Sequence, residues 1–164
     1  MAGVAKAAGA PSGSLYHRFE SRDALLGELW LRTVVRFQAG FIEALASDPP
    51  LEACLRAARH TVGWSRRHAP EAQILLRGAR ELGSAGCPPE LRRRLDATQE
   101  QLEAALRDAA DRLPGRRGDR LERVLLVTVD IPYAVVRRHL ATPGGEIPAG
   151  AEALVEESAR ALLA

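Results

Sequence analysis

Residues 9–26 read GAPSGSLYHRFESRDALL, and the class of fold turns on them. Two glycines, a proline and three serines are interleaved with Tyr16, His17, Arg18 and Phe19. The preceding eight residues, MAGVAKAA, favour a short helix that ends at Gly9, a residue able to take a left-handed turn without steric cost. Pro11 fits the entry of a second short helix, where its missing N–H is not needed. Ala5 and Ala8 are small enough to let that helix approach the first. Leu15 and Phe19, four apart, face inward, and Ser12, Ser14, Tyr16, His17 and Arg18 take the other faces. Two short helices about a glycine turn make a helix-turn-helix, whose second helix can enter a DNA major groove.

Downstream, Ser21 is placed as an N-cap, with Asp23 in a first turn where the helix dipole favours an acid. Leu25, Leu29, Thr33, Phe37, Phe41 and Leu45 recur every four residues, and Leu26, Trp30, Val34 and Ile42 widen the stripe. That is a long amphipathic helix closed by Asp48-Pro49-Pro50. Further helices are predicted over about 51–67, 70–82, 91–113, 119–140 and 149–163, separated by proline and glycine. The segment 124–131, VLLVTVDI, has the β-branching of a strand, but the helical pattern around it argues for helix. Apolar residues surround the 119–140 helix on nearly all sides, which implies more than one neighbour. Pro132 should kink or split it, and Asp130 beside it is expected to sit in a buried ion pair. The predicted fold class is all-α.

Composition narrows the function. Apolar residues are 46% of 164, enough for a core, and the net charge of +2 is too small for a general nucleic-acid coat. Any DNA contact must therefore be local. Lys6 is the one lysine among 23 basic residues. The clusters Arg92-Arg93-Arg94 and Arg137-Arg138 read as solvated faces. Cys54 and Cys87 lack metal-ligand spacing, so no metal and no cofactor are expected. With no apolar run long enough to cross a membrane, a cytoplasmic protein is the expectation. Catalysis is disfavoured: there is no nucleophile elbow at Gly13-Ser14-Leu15-Tyr16, no zinc motif and no phosphate loop.

The segment VAKAAGAPSGSLYHRFESRDALL resembles the DNA-binding signature of the TetR/AcrR family of bacterial transcriptional regulators. Ala5, Ala8, Gly9, Gly13, Ser14, Leu15, Tyr16, Phe19, Ser21, Arg22, Asp23, Leu25 and Leu26 match its pattern. Ala10 and Pro11 stand where that pattern has valine and serine. The resemblance implies a recognition helix over 13–19, with Ser12, Gly13, Ser14, Tyr16 and His17 at DNA and Lys6 and Arg22 on phosphates. It implies a partial DNA-binding domain over 1–22 and a helical ligand-binding and dimerisation domain over 23–164. It also implies a helix, and part of the next, upstream of Met1. Without them the chain is expected to bind operator DNA weakly or not at all, and a truncated homodimer with only a ligand-binding or interaction role is the alternative.

The function so implied is a ligand-responsive regulator, a repressor in most such proteins, that binds a palindromic operator as a homodimer. The helices over about 119–140 and 149–163 would form the subunit interface. An unidentified small-molecule effector would bind among the effector-domain helices, with His60, Trp64 and Tyr133 as candidate pocket residues. His60 and Trp64 are four apart and share a face, and His68, just past the end of that helix, is a further candidate pocket residue.

Overall fold

The computed structural model describes residues 21–81, 88–114, 117–142 and 144–163, all of whose regular structure is helical. The segment 1–20, which carries the recognition-helix reading, and Cys87 lie outside these residues.

Helix α1, Arg22–Leu45, starts as its sequence dictates. Ser21 is extended, and its side chain accepts a hydrogen bond from the Ala24 N–H at 3.0 Å, with Asp23 in the first turn. The turn at 46–49 reverses the chain into α2, Pro50–Arg67, which has proline at its first position. Helix α3, Ala69–Glu81, and α4, Pro89–Arg112, follow. Each of the long predicted helices is present, with ends displaced by only one or two residues.

After a 3₁₀ turn at Arg117–Asp119, α5 spans Arg120–Leu125 and α6 spans Ile131–Leu140. Between them Leu126–Asp130 is a π-helical turn, in which the Ile131 N–H reaches back to the Leu126 carbonyl. The chain therefore stays helical from Arg120 to Leu140 and is not split at Pro132. A π-turn widens the ladder by one residue just before a residue that has no N–H to give. The widened turn also alters which residues face the core. Thr128 is fully buried and donates to the Val124 carbonyl at 2.7 Å, whereas Asp130 is exposed rather than held in a buried ion pair. Helix α7, Ala151–Leu163, ends the fold.

Helix α2 is the centre of the molecule. Its Ala53, Cys54, Leu55, Ala57, Ala58 and Val62 have no exposed surface, and the alanines let neighbours approach closely. On one side it packs with Val127, Val136, Leu140, Ile147 and Val155 of the C-terminal helices and the loop before α7. On the other it packs with Phe41 and Leu45 of α1, Leu106 and Ala109 of α4, and Val124 of α5. Burying each large side chain contributes about 1.5–3 kcal/mol. Burial pushes the Cys54 thiol up to about 11, so it behaves as a small apolar group.

Ion pairs set the register. Arg59 to Glu156 at 3.2 Å, Arg66 to Glu152 at 2.7 Å and Arg160 to Glu52 at 3.0 Å fix α2 antiparallel to α7. Helix α1 is antiparallel to α3 through Arg36 and Glu71. It runs parallel to α4. Arg94 pairs with Glu28, and Arg112 donates to the Leu45 carbonyl, at sequence offsets of 66 and 67.

Candidate functional site

Helix α1 presents Trp30, Val34, Phe37 and Gln38 toward α3 and α4, at the spacing of one helix face. Leu75 and Gly78 of α3 and Leu95, Asp96, Thr98 and Gln99 of α4 close the other sides of a cavity of about 360 Å³. That volume lies at the small end of the roughly 300–1,000 Å³ range of ligand pockets.

Two polar atoms of this wall are buried and unpartnered: Trp30 Nε1, a donor, and Gln38 Oε1, an acceptor. Leaving a buried polar group without a partner costs about 1–3 kcal/mol. Gly78 makes room for the Trp30 ring, since a Cβ at that position would collide with the indole. Thr98 and Gln99 are already engaged, with the Arg94 carbonyl at 2.7 Å and the Glu103 carboxylate at 3.2 Å. Among the described lining residues the one ionic group is Asp96, which is exposed at the rim.

Two smaller cavities adjoin. One of about 150 Å³ shares Phe37 and Leu75 with the first and reaches Tyr133 of α6. The other, about 140 Å³, lies beyond Tyr133, between Arg77 and Arg137.

The residues expected from sequence to form the pocket separate. His60 and Trp64 line none of these three cavities. They do share a face of α2, but aromatic rings fill it. The Phe37 ring lies 5.4 Å from both His60 and Trp64, and Trp64 lies 5.0 Å from His68. His60 Nε2 is 3.0 Å from the Phe37 carbonyl, and a neutral ring donates there. Burial holds the His60 pKa below its usual value, against the raising effect of that bond. His68 Nδ1 lies 3.1 Å from Glu71. Tyr133 alone of the expected residues borders cavity space, on the far side of Phe37 and Leu75. Sequence reading placed Trp30 in the core stripe and passed over Gln38. The signal was a glutamine on the cavity side of an otherwise apolar run.

Of the expected DNA contacts, Lys6, Ser12, Gly13, Ser14, Tyr16 and His17 lie outside the described residues, and Arg22 is the first residue of α1. The arginine clusters are exposed as expected, with Arg93 paired to Glu90 and Arg94 to Glu28. Among the described residues no group of His, Cys, Asp and Glu could hold a metal ion, and no helix is long and apolar enough to cross a membrane.

Comparison with known proteins bears on the segment and the fold separately. Residues 1–29 match the family model of bacterial regulatory proteins, tetR family. No curated protein matches the chain. The fold is similar to the crystal structure of a TetR family transcriptional regulator, PfmR, from Thermus thermophilus. The TM-score is 0.72 at 22% identity, covering 97% of this chain and 84% of that one.

Proposed function

We propose that this chain, which joins the TetR family signature to the all-helical fold of a TetR family regulator, is a DNA-binding transcriptional regulator governed by a small molecule. One observation carries the reading. Helix α1 begins at Arg22, inside the matched segment 1–29, and its Trp30, Val34, Phe37 and Gln38 line the cavity. A single rigid element thus joins the DNA-reading segment to the sensing wall. An effector that prefers one orientation of α1 shifts the population toward it by its difference in affinity for the two states.

The subunit arrangement is part of the proposal. Exposed Leu121, Leu126, Tyr133, Leu154 and Leu162 lie on the 120–140 helical segment and α7. Pairing these helices across a two-fold axis would cover them. It would also set two recognition helices about one DNA turn, roughly 34 Å, apart on a palindrome. The role is that of a repressor, released by effector, without enzymatic activity and in the cytoplasm.

The test is operator binding by the intact protein, with DNA sites selected from the flanking intergenic sequence. Tyr16→Ala and His17→Ala should each weaken binding at least tenfold while leaving helicity unchanged. Arg22→Ala should reduce the salt dependence as well, as loss of a phosphate contact does. Unchanged affinity in the Tyr16 and His17 variants would refute the DNA-reading assignment.

A further inference from the structure

We propose that the cleft between α3 and α6, with the apolar cavity behind it, binds a small organic anion: an acidic head held by Arg77 and Arg137, and an apolar body reaching in past Tyr133. The binding site stands without the regulator reading above; only its consequence for DNA rests on that reading.

The head is set by charge. Arg77 of α3 and Arg137 of α6 border one cleft of about 140 Å³. Arg36, Arg59, Arg66, Arg94 and Arg160 each pair with an acid of another helix. Arg77 and Arg137 make no ion pair and no hydrogen bond among the described residues, and the described lining of the cleft holds no acid. Two like charges on one cleft repel, and an anion there relieves the repulsion while accepting charge-assisted hydrogen bonds. The carbonyl end of α6 reaches the same cleft at Leu140 and Ala141 and brings about half a negative charge, which two guanidiniums outweigh.

The body is set by what lies behind. Leu76 and Tyr133 border both the cleft and the cavity of about 150 Å³, so the two spaces meet along those side chains. Phe37, Ala72, Leu75 and Val136 wall the cavity. Its polar members are Thr61, whose hydroxyl donates to the Ala57 carbonyl at 3.3 Å, and Ser65. Ser65 is 4% exposed and its hydroxyl makes no hydrogen bond among the described residues, yet unlike Trp30 Nε1 and Gln38 Oε1 it is not sealed from solvent. The cavity is therefore open at depth. Rotation about χ1 lets Ser65 bond the Thr61 carbonyl one turn back, so it can accept an apolar neighbour. A hydrocarbon body entering this space gains about threefold in affinity for each buried methylene.

Calorimetric titration of the full chain with octanoate, octanamide, octyl phosphate, butyrate and acetate tests the site. Octanoate should bind about tenfold tighter than octanamide, which has the same body without the charge. Butyrate should bind at least about tenfold more weakly than octanoate, and acetate weaker still. The tighter of octanoate and octyl phosphate tells whether the head is a carboxylate or a phosphate ester, and either supports the class. Arg77→Gln and Arg137→Gln, at exposed positions, should each cost octanoate about fivefold and leave octanamide unchanged. Arg92→Gln, at an exposed position outside the cleft, should change neither. Octanamide equal to octanoate, a flat chain-length series, charge variants that bind octanoate as the parent does, or no binding by any anion overturns the site.

Phe37 belongs to α1 and to the cavity wall, so on the regulator reading an occupied site acts on the helix that leads from the DNA-reading segment. Octanoate should then change operator affinity, and less so in Arg137→Gln at the same concentration. Binding as expected with operator affinity unmoved leaves the site standing and removes its regulatory role. Intact operator binding with no anion bound removes the site and leaves the regulator reading.

Discussion

The Trp30 indole lies where a side chain at Gly78 would stand, so the backbone of α3 is bare at the point where α1 needs space. Alanine in place of Gly78 gains about 1 kcal/mol in helix propensity. It also forces the ring aside, and overpacking of this kind costs about 1–3 kcal/mol. Gly78→Ala should therefore be destabilised by about 1 kcal/mol in urea unfolding, with a changed tryptophan emission. A variant more stable than the parent would show that Trp30 moves freely.

Arg112 gathers the end of α1. It donates to the carbonyls of Leu45 and, at 3.1 Å, Ser47, and its Nε is 2.9 Å from Asp108. Removing it leaves partly buried carbonyls unsatisfied, so Arg112→Ala should cost about 2 kcal/mol. Arg93, whose pairing with Glu90 is on the open surface, is the control. Its alanine variant should change stability by no more than about 0.5 kcal/mol. Equal effects from the two would remove Arg112 from its capping role.

His60 links stability to pH. Burial lowers its pKa in the folded state, with Arg67 lowering it further and Glu43 opposing. The unfolded chain therefore binds the proton more readily, and stability rises with pH through this window. The contribution of His60 is complete above its unfolded value and is lost as pH falls through the folded one. His60→Gln, which can still donate to the Phe37 carbonyl, should flatten the urea midpoint between about pH 7 and pH 5 relative to the parent. An identical pH profile in the two chains would contradict the assignment.

The exposed face of α7 tests the subunit arrangement. Leu154 is 65% exposed, so Leu154→Arg removes no core contact. Its helicity and thermal midpoint at low concentration should match the parent within error. Sedimentation should show a shift from dimer toward monomer, because a charge at an apolar interface is costly when unpaired. A dimer of unchanged strength would move the interface elsewhere.

Much of the fold was legible because proline and glycine mark the ends of nearly every helix. Ser21 caps α1 as its position in the sequence suggests, while Pro50 and Pro89 prove to be the first residues of α2 and α4. The π-turn was not legible. Pro132 marks its neighbourhood, but the choice between a break and a widened ladder depends on packing of Val127 and Thr128 against α2. The cavity was half legible. Spacing alone puts Trp30 and Val34 on one stripe with Phe41, and whether that stripe meets side chains or empty space depends on a distant glycine. His60 and Trp64 do share a face, but Phe37 of another helix fills it.

The two ends of α1 are held unequally. Among the described residues, Arg112 fastens its C-terminal end to α4, while the ion pair nearest its N-terminus, Glu28 to Arg94, is on the surface. On the function proposed above, the helix would act as a lever with its fulcrum at Leu45. Gln38 is about 10 Å from that fulcrum and Arg22 about 35 Å, at 1.5 Å per residue. On that reading, a small displacement at Gln38 would be multiplied roughly threefold at Arg22.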